Sequence, residues 1–405
     1  MLTQREQVAM PGDAKARNRQ MMLRVIRSGK VLTAAEISQM TGISRQTVMR
    51  FLQHYCQLGV IASVGFGEST RAGGKKPELF QFCDQRRMLC VNLWPKAISL
   101  ALSDLTGAVY ADMRFEHQLS GELERDLDDV HAFAMAYLAK ENVGLQQLYG
   151  VVLTVPGTVD YDTKALRYNS QAPGWGADVD MQEKLRARFG TELAYYIDNA
   201  GKAAGRALLL EHPEYARHRL LTLFTTWGVS ACLIEKGHVL NGRDSLIGEI
   251  GHMIISDGNG VVCGCGKRGC LESMVNLQHV RNLLVSLGEE QESAEQITLR
   301  RLFERSAAGE ARARQISAYL AHCFALALQN LSLSYNQELV VFQGDFAWAD
   351  ANFDESLKAE LRQFRYYPRG ELFAIAYDRR ELSVLAAQGG AGKLSEKYFS
   401  ALADE

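Results

Sequence analysis

Between residues 263 and 270 the chain reads Cys-Gly-Cys-Gly-Lys-Arg-Gly-Cys. Three thiols within eight positions, spaced by glycines, describe a loop that folds tightly around something. Structural zinc takes four nitrogen or sulfur ligands in a tetrahedron. The fourth donor is expected nearby, and His252 lies eleven residues before Cys263, closing the run Gly-Glu-Ile-Gly-His. The spacing predicts a Cys3His site of His252, Cys263, Cys265 and Cys270, holding one structural Zn2+ per chain. Lys267 and Arg268 add positive charge that favours thiolates. The alternative is a glycine-rich loop with buried thiols. The other five cysteines (56, 83, 90, 232 and 323) are scattered through apolar stretches and read as buried packing residues. No uninterrupted apolar run approaches the roughly 18 residues of a membrane span. The N-terminal twenty residues carry no apolar signal core. A cytoplasmic protein with no membrane insertion is expected.

The formal net charge of −2 conceals two unlike segments. Residues 1–80 carry 12 Lys/Arg against 5 Asp/Glu, while the remainder carries 33 against 42. A small basic module on a larger acidic body suggests an anionic partner for the module alone. Residues 1–14 are polar, contain Pro11-Gly12, and read as a flexible arm. Within residues 15–84 three short helices are expected. Asn18–Ser28 has apolar residues at helical spacing. Ala34–Met40 follows Thr33 with Glu36 three places on, a capping-box pattern. Arg45–Leu58 starts after Ser44 and is closed by Gly59.

A glycine-containing turn between the second and third helices matches a helix-turn-helix. Val60–Gly65 and Glu78–Phe82 read as the strands of a β-hairpin wing. Ile37, Met40, Ile43, Val48, Phe51 and Leu52 are expected to pack the helices together. In such a module the N-terminal part of the last helix meets the major groove. The DNA contacts expected there are Ser44, Arg45, Gln46, Thr47 and Arg50; Arg suits guanine and Gln suits adenine. On the wing, Arg71, Lys75 and Lys76 suit backbone phosphates or the minor groove. A three-helix protein-interaction module shares the apolar pattern but not the basic balance.

From Arg87 the pattern changes to strand hairpins alternating with helices, which indicates an α/β body with mixed sheets. Strands are expected from Arg87, at Tyr149–Val155, at Ala194–Ile197, in a hairpin over Leu220–Glu235, and at Glu338–Phe342. Helices are expected at Leu127–Lys140, Met181–Phe189, Ala200–Leu210 and 303–334. Hairpin followed by helices occurs twice, which points to two similar lobes: 85–200, and 201–405 with the metal loop.

Gly248 to His252 followed by Cys263 to Glu272 resembles the signature of the ROK family, which groups repressors, open reading frames and sugar kinases. The resemblance runs from residue 18 to about 395 and takes in the winged module, which marks the family's transcription regulators. It implies a two-lobed actin-like, hexokinase-like (ribonuclease H-like) body with a sugar in the cleft between lobes. Carried onto this sequence, Asp198 of Ile-Asp-Asn-Ala-Gly matches the base of the kinases, and here it is expected to bind sugar, with Gln171, without catalysis. Glu249, His252 and Glu272 match sugar-binding positions. Gln171 stands where the family usually has Asn, ahead of a matching Pro173-Gly174-Trp175. Carboxylates suit vicinal hydroxyls because each accepts two hydrogen bonds.

The kinase pattern breaks at three places. The first phosphate loop is Asn92-Leu93-Trp94-Pro95-Lys96, with Trp and Pro where glycines are needed. Phosphate cradling requires close backbone approach and free N–H groups, and Pro has no N–H. The second loop is Thr226-Trp227-Gly228-Val229-Ser230, and the nucleotide-side Gly-Gly is Gln343-Gly344. The expectation is therefore a non-enzymatic regulator of carbohydrate genes, a repressor in the first instance. It would bind a double-stranded DNA operator as a homodimer or homotetramer and answer to a sugar or sugar derivative. The alternatives are a sugar kinase with an appended DNA-binding module, and a regulator that senses another protein.

Overall fold

A computed structural model describes residues 11–68, 76–169, 171–256, 260–363 and 372–404. Helix α1 (Pro11–Ile26) begins earlier than expected and absorbs Pro11-Gly12, assigned above to an arm. Proline is well placed in a first helical turn, where its missing N–H would have no partner. Residues 1–10 of that arm lie outside the described residues.

Strand β1 (Leu32–Thr33) leads into α2 (Ala34–Thr41). The capping box forms: the Glu36 N–H donates to Thr33 Oγ1 at 3.2 Å, and the Thr33 N–H donates to Glu36 Oε2 at 2.7 Å. Gly42, at φ 71°, turns the chain. Ser44 then caps α3 (Arg45–Gln57) by accepting from the Thr47 N–H. The wing strands β2 (Ile61–Phe66) and β3 (Glu78–Phe82) pair antiparallel, and β1 adds a third strand in the order β1-β3-β2. Ile37, Ile43, Val48, Phe51 and Leu52 are buried as expected. Met40 is not; it is 60% exposed. Helix α2 lasts barely two turns, and Gly42 swings the chain away before Met40's flank can be covered.

The first lobe opens with an antiparallel meander, β4 (Arg87–Trp94), β5 (Ala97–Asp104) and β6 (Val109–Glu116). Helix α4 (Leu123–Lys140) starts one turn before the expected Leu127. Strand β7 (Leu148–Val155) runs parallel to β4. The short pair β8 (Thr158–Val159) and β9 (Leu166–Tyr168) precedes α5 (Met181–Phe189). Strand β10 (Ala194–Asn199) lies parallel to β7, giving the order β10-β7-β4-β5-β6. Helix α6 (Ala200–Glu211) crosses to the second lobe.

There β11 (Leu220–Thr225), β12 (Val229–Glu235) and β13 (His238–Val239) form another meander. Helices α7 (Leu271–Val275), α8 (Leu277–Ser286), α9 (Gln291–Gln296), α10 (Leu299–Ala307) and α11 (Ala311–Ser334) follow. Strand β14 (Leu339–Gly344), helix α12 (Ala351–Arg362) and strand β15 (Ala374–Asp378) complete the sheet, ordered β13-β12-β11-β14-β15. Both lobes thus have three antiparallel strands with two further strands parallel to the first. The single helix expected over 303–334 is two, because Gly309 at φ 91° ends α10 before α11 begins. Helix α11 is long and apolar enough to cross a membrane by length and composition. Its buried face, from Ala313 to Ser332, instead packs inside the second lobe.

Helix α13 (Leu382–Asp404), which follows the second sheet, packs on α6, on the first-lobe strands β4, β7 and β10, and on α1. Gly389 permits the contact with α6: a Cβ there would lie 1.8 Å from the Ala203 carbonyl oxygen. One hydrophobic cluster joins the winged module (Leu23, Phe51, Leu52), the first sheet (Met88, Cys90, Val152) and α13 (Leu394, Phe399, Leu402). The Tyr55 hydroxyl donates to the Leu402 carbonyl at 2.5 Å, and Arg27 donates to the Gly392 carbonyl at 3.1 Å. Cys90, Cys232 and Cys323 are buried, whereas Cys56 and Cys83, also expected inside, are only half-buried.

Candidate functional site

The metal-ligand set comes together as the spacing predicts. His252, Cys263, Cys265 and Cys270 each offer one donor atom, all within 4.8 Å of one another. Cys263 Sγ lies 3.6 Å from His252 Nδ1, and Cys265 Sγ lies 3.7 Å from Cys270 Sγ. Bonds of ~2.3 Å to sulfur and ~2.0–2.1 Å to nitrogen put tetrahedral S···S edges near ~3.7 Å and S···N edges near ~3.5 Å. Two of the six edges thus already have the length of a tetrahedral zinc site, and the four donors are close enough together to share one ion. The loop is pinned by the Cys263 N–H donating to the Lys267 carbonyl at 2.8 Å and the Gly266 N–H to the Cys263 carbonyl at 2.9 Å. The backbone N–H of Lys267 holds the exposed Cys265 thiol below its usual range. Burial pushes Cys270 up to about 12, so that thiol ionises at neutral pH only beside a cation.

His252 also lines a cavity between the lobes, together with Gln171, Asn199, Glu249 and Glu272. Four of the five residues assigned to sugar binding are thus brought to one place. Glu249 Oε1 accepts from the Thr158 hydroxyl at 3.2 Å. Glu272 Oε2 accepts from the Val229 N–H at 3.0 Å, and burial raises its carboxyl. Gly228, the one glycine left in its loop, is needed here: a Cβ would sit 2.6 Å from Glu272 Oε2. With Nδ1 of His252 turned to Cys263, its Nε2 is the nitrogen left for a ligand.

Asp198, the fifth assigned residue, is placed elsewhere. Its carboxylate accepts from the Tyr196 hydroxyl at 2.7 Å and pairs with Arg206, both partners buried. Burial works against the Arg206 charge, but Asp198 outweighs it and raises the guanidinium. Successive side chains of a strand point to opposite faces, so the neighbouring Asn199 faces the cavity. Asn199 was not singled out by the sequence reading. Its Nδ2 donates to the Gly157 carbonyl at 2.7 Å, and its Oδ1 caps α6 by accepting from the Lys202 N–H at 3.1 Å.

Aromatic side chains fill the positions of the first two phosphate loops. Trp94 stacks on Phe224 with ring centroids 5.9 Å apart and lies 6.5 Å from Trp227. Asn92 is buried and uses both ends of its amide, accepting from the Thr154 hydroxyl at 2.6 Å and donating to the Ser383 carbonyl at 3.0 Å.

On the winged module, Ser44, Arg45, Gln46, Thr47 and Arg50 all lie exposed at the start of α3. The Ser44 and Thr47 hydroxyls are 2.9 Å apart. Lys76 is exposed just before β3, while Arg71 and Lys75 lie outside the described residues.

Residues 88–389 match the ROK family profile. The xylose repressor of Bacillus subtilis (strain 168) is 22% identical over 362 residues, covering 88% of this chain and 90% of that protein. A glucokinase of Halalkalibacterium halodurans is 26% identical over 243 residues, 56% of this chain and 72% of the kinase. Among solved structures, a ROK family transcriptional regulator described as a homolog of the E. coli MLC protein aligns with a TM-score of 0.77 at 19% identity, over 96% of this chain and 98% of that one. At that identity the likeness speaks for the fold, winged module and two lobes together. With the profile match spanning most of its length, the chain belongs to the ROK family.

Proposed function

We propose that this protein is a DNA-binding transcription regulator, a repressor of carbohydrate-metabolism genes, whose operator affinity changes when a sugar or sugar derivative enters the cleft. The observation that carries the reading is the cavity itself. It gathers Gln171, Asn199, Glu249, His252 and Glu272, and Trp94 and Trp227 line it where the family resemblance puts phosphate loops. Its volume is about 90 Å³. The repressor relatives support the same reading, whereas the glucokinase relative supports kinase chemistry only for the body. Phosphoryl transfer is not expected on this reading, because Trp94, Pro95 and Trp227 stand where a phosphate cradle needs glycine backbone.

DNA contact is assigned to Arg45, Gln46 and Arg50 for bases, with Ser44, Thr47 and the wing residues Arg71, Lys75 and Lys76 on the backbone or minor groove. A homodimer or homotetramer in the cytoplasm would read a palindrome with half-sites about one or two turns apart, ~34 Å per turn. The ion at His252, Cys263, Cys265 and Cys270 is taken as one structural zinc, which fixes the ring of His252 toward the cavity.

The test is a genomic-fragment selection for the operator, followed by a monosaccharide screen of the complex. One sugar should release the protein, or tighten it, and Glu249→Ala should keep operator binding while losing that response. A Glu249→Ala complex that answers to the sugar like the parent would overturn the assignment of the cavity. Sugar-dependent ADP release from ATP would favour the kinase reading instead.

A further inference from the structure

Trp94 and Trp227 line two cavities, one on each side of them. The outer one is much larger, about 650 Å³, and differs in charge. Six cations line it, Lys96, Arg114, Arg281, Arg300, Arg379 and Arg380, against two acids, Asp345 and Glu381. Some of that charge is already matched. Arg380 pairs with Asp378 and Glu211, and Arg114 and Arg300 lie 3.5 Å from Glu116 and Glu304. Lys96, Arg281 and Arg379 make no ion pair among the described residues.

Arg281 donates one terminal N–H to the Ile297 carbonyl at 3.1 Å, and its Nε is buried with no hydrogen-bond partner. Arg379 donates Nε to the Ala347 carbonyl at 3.2 Å, and its guanidinium lies 5.4 Å from the Trp348 ring centre. Arg300 stacks over that ring at 3.8 Å, so Trp348 holds two guanidiniums at one wall.

Two helix starts open onto the same space. Asn276, Leu277 and Gln278 begin α8; Thr298, Leu299 and Arg300 begin α10. Helix N-termini present unpaired N–H groups and a positive dipole end, both suited to anions. Guanidiniums match the oxygens of a phosphate in forked geometry. The cations come from both lobes, since Lys96 and Arg114 belong to the first and the remaining four to the second.

We propose that this outer cleft binds a small organic phosphate, a phosphate monoester held by Arg281, Arg379 and Lys96, at a site separate from the sugar cavity. The Trp94–Trp227 wall divides the two, and without glycine loops the cleft meets phosphate with side chains rather than backbone. Such a ligand bridges the lobes and would act as a second effector of the same cleft. Binding of the ester rests on the outer cleft alone, and only its role as an effector rests on the regulator reading.

The experiment uses the full chain and its own tryptophans, three of which line the cleft. Fluorescence is titrated with fructose 1,6-bisphosphate, glycerol 3-phosphate, inorganic phosphate and ATP with magnesium. A saturable change is expected with the two phosphate esters, weaker with inorganic phosphate and weakest with ATP. Arg281→Ala with Arg379→Ala should weaken ester binding by at least about tenfold. Lys96→Ala, in an exposed hairpin turn, gives the same direction should the double variant fail to fold. Glu249→Ala should leave ester binding unchanged. The proposal is overturned by no saturable response at about 10 mM ester, by a response that survives Lys96→Ala and the double variant, or by one that Glu249→Ala abolishes. Inorganic phosphate or ATP binding as tightly as the esters would also overturn it.

Discussion

The two lobes run the same strand order, yet what covers each sheet is different. The first sheet carries α13 and, through it, the winged module; one apolar cluster runs from Phe51 through Val152 to Phe399. The second sheet carries the metal loop and the α7–α11 layer, whose core is a separate cluster around Leu320, Phe324 and Phe342. A repeated topology gives a cleft with equivalent walls, and the unequal coverings divide the work between them. The second lobe holds the polar groups Glu249, His252 and Glu272, next to the loop that carries the Cys3His ligand set. The first lobe shares its core with the module that would meet DNA. A ligand that moves one lobe against the other therefore moves the winged module too, because no apolar seam separates that module from the first sheet.

The largest expected effect strikes the second lobe only. Cys270→Ala, or removal of the metal by a chelator, should give the greatest fall in thermal stability of the variants described, since structural zinc contributes ~10 kcal/mol or more in small domains. Metal analysis and thermal unfolding check it. Freshly purified protein without metal, or an unchanged melting curve after chelation, would break the division between lobes.

Next comes the buried pair that Asp198 makes at the edge of the first sheet. Asp198→Ala leaves the Arg206 charge inside without its partner and should cost ~3–5 kcal/mol in urea unfolding. Asp198→Asn should still show the parent's thermal response to the releasing sugar, because Asp198 lies outside the cavity. Loss of that response with the fold intact would return Asp198 to the sugar site.

A smaller effect concerns Asp345 in the second lobe, whose carboxyl burial pushes up to about 6. Its folded value lies above its unfolded one, so ionising it in the folded protein costs stability as pH rises from about 4 through 6. Asp345→Asn should therefore be more stable than the parent at pH 8 by ~1–3 kcal/mol, with the difference vanishing by about pH 4. Urea midpoints at the two pH values decide it. The smallest effect falls on the winged module: Arg45→Ala should cost ~1–3 kcal/mol of operator affinity and relax one base position, while Lys76→Ala weakens all sequences alike and flattens the salt dependence.

Much of this was legible in the chain because the signals are local. The Thr33–Glu36 capping box, the Gly42 turn and the thiol spacing each fix geometry within ten residues or so. What failed was phase and distance. Asp198 and Asn199 are both polar at a strand end, and a shift of one residue decides which faces the cleft. The break at Gly309 was hidden because apolar residues recur at helical spacing on both sides of it, Leu299, Leu302 and Phe303 before and Ala313, Ile316 and Leu320 after. Met40 has the pattern of a core residue, but a helix of two turns has too little partner surface to cover it. The docking of α13 on the first sheet has no local signature, since its partners lie hundreds of residues upstream.

That docking has a consequence for synthesis. Tyr55 and Leu402, joined by a hydrogen bond, are 347 positions apart. At ~5–20 residues per second the ribosome takes roughly 20–70 s to travel between them. The winged module is made early in that interval and the first sheet only once Asn199 is reached, and both then lack the helix that covers Leu23, Cys90 and Val152. The nascent chain therefore carries an exposed apolar face through most of its own translation. Truncation anywhere before Leu382 would make that exposure permanent and leave a product for chaperones and proteases rather than a shorter working protein.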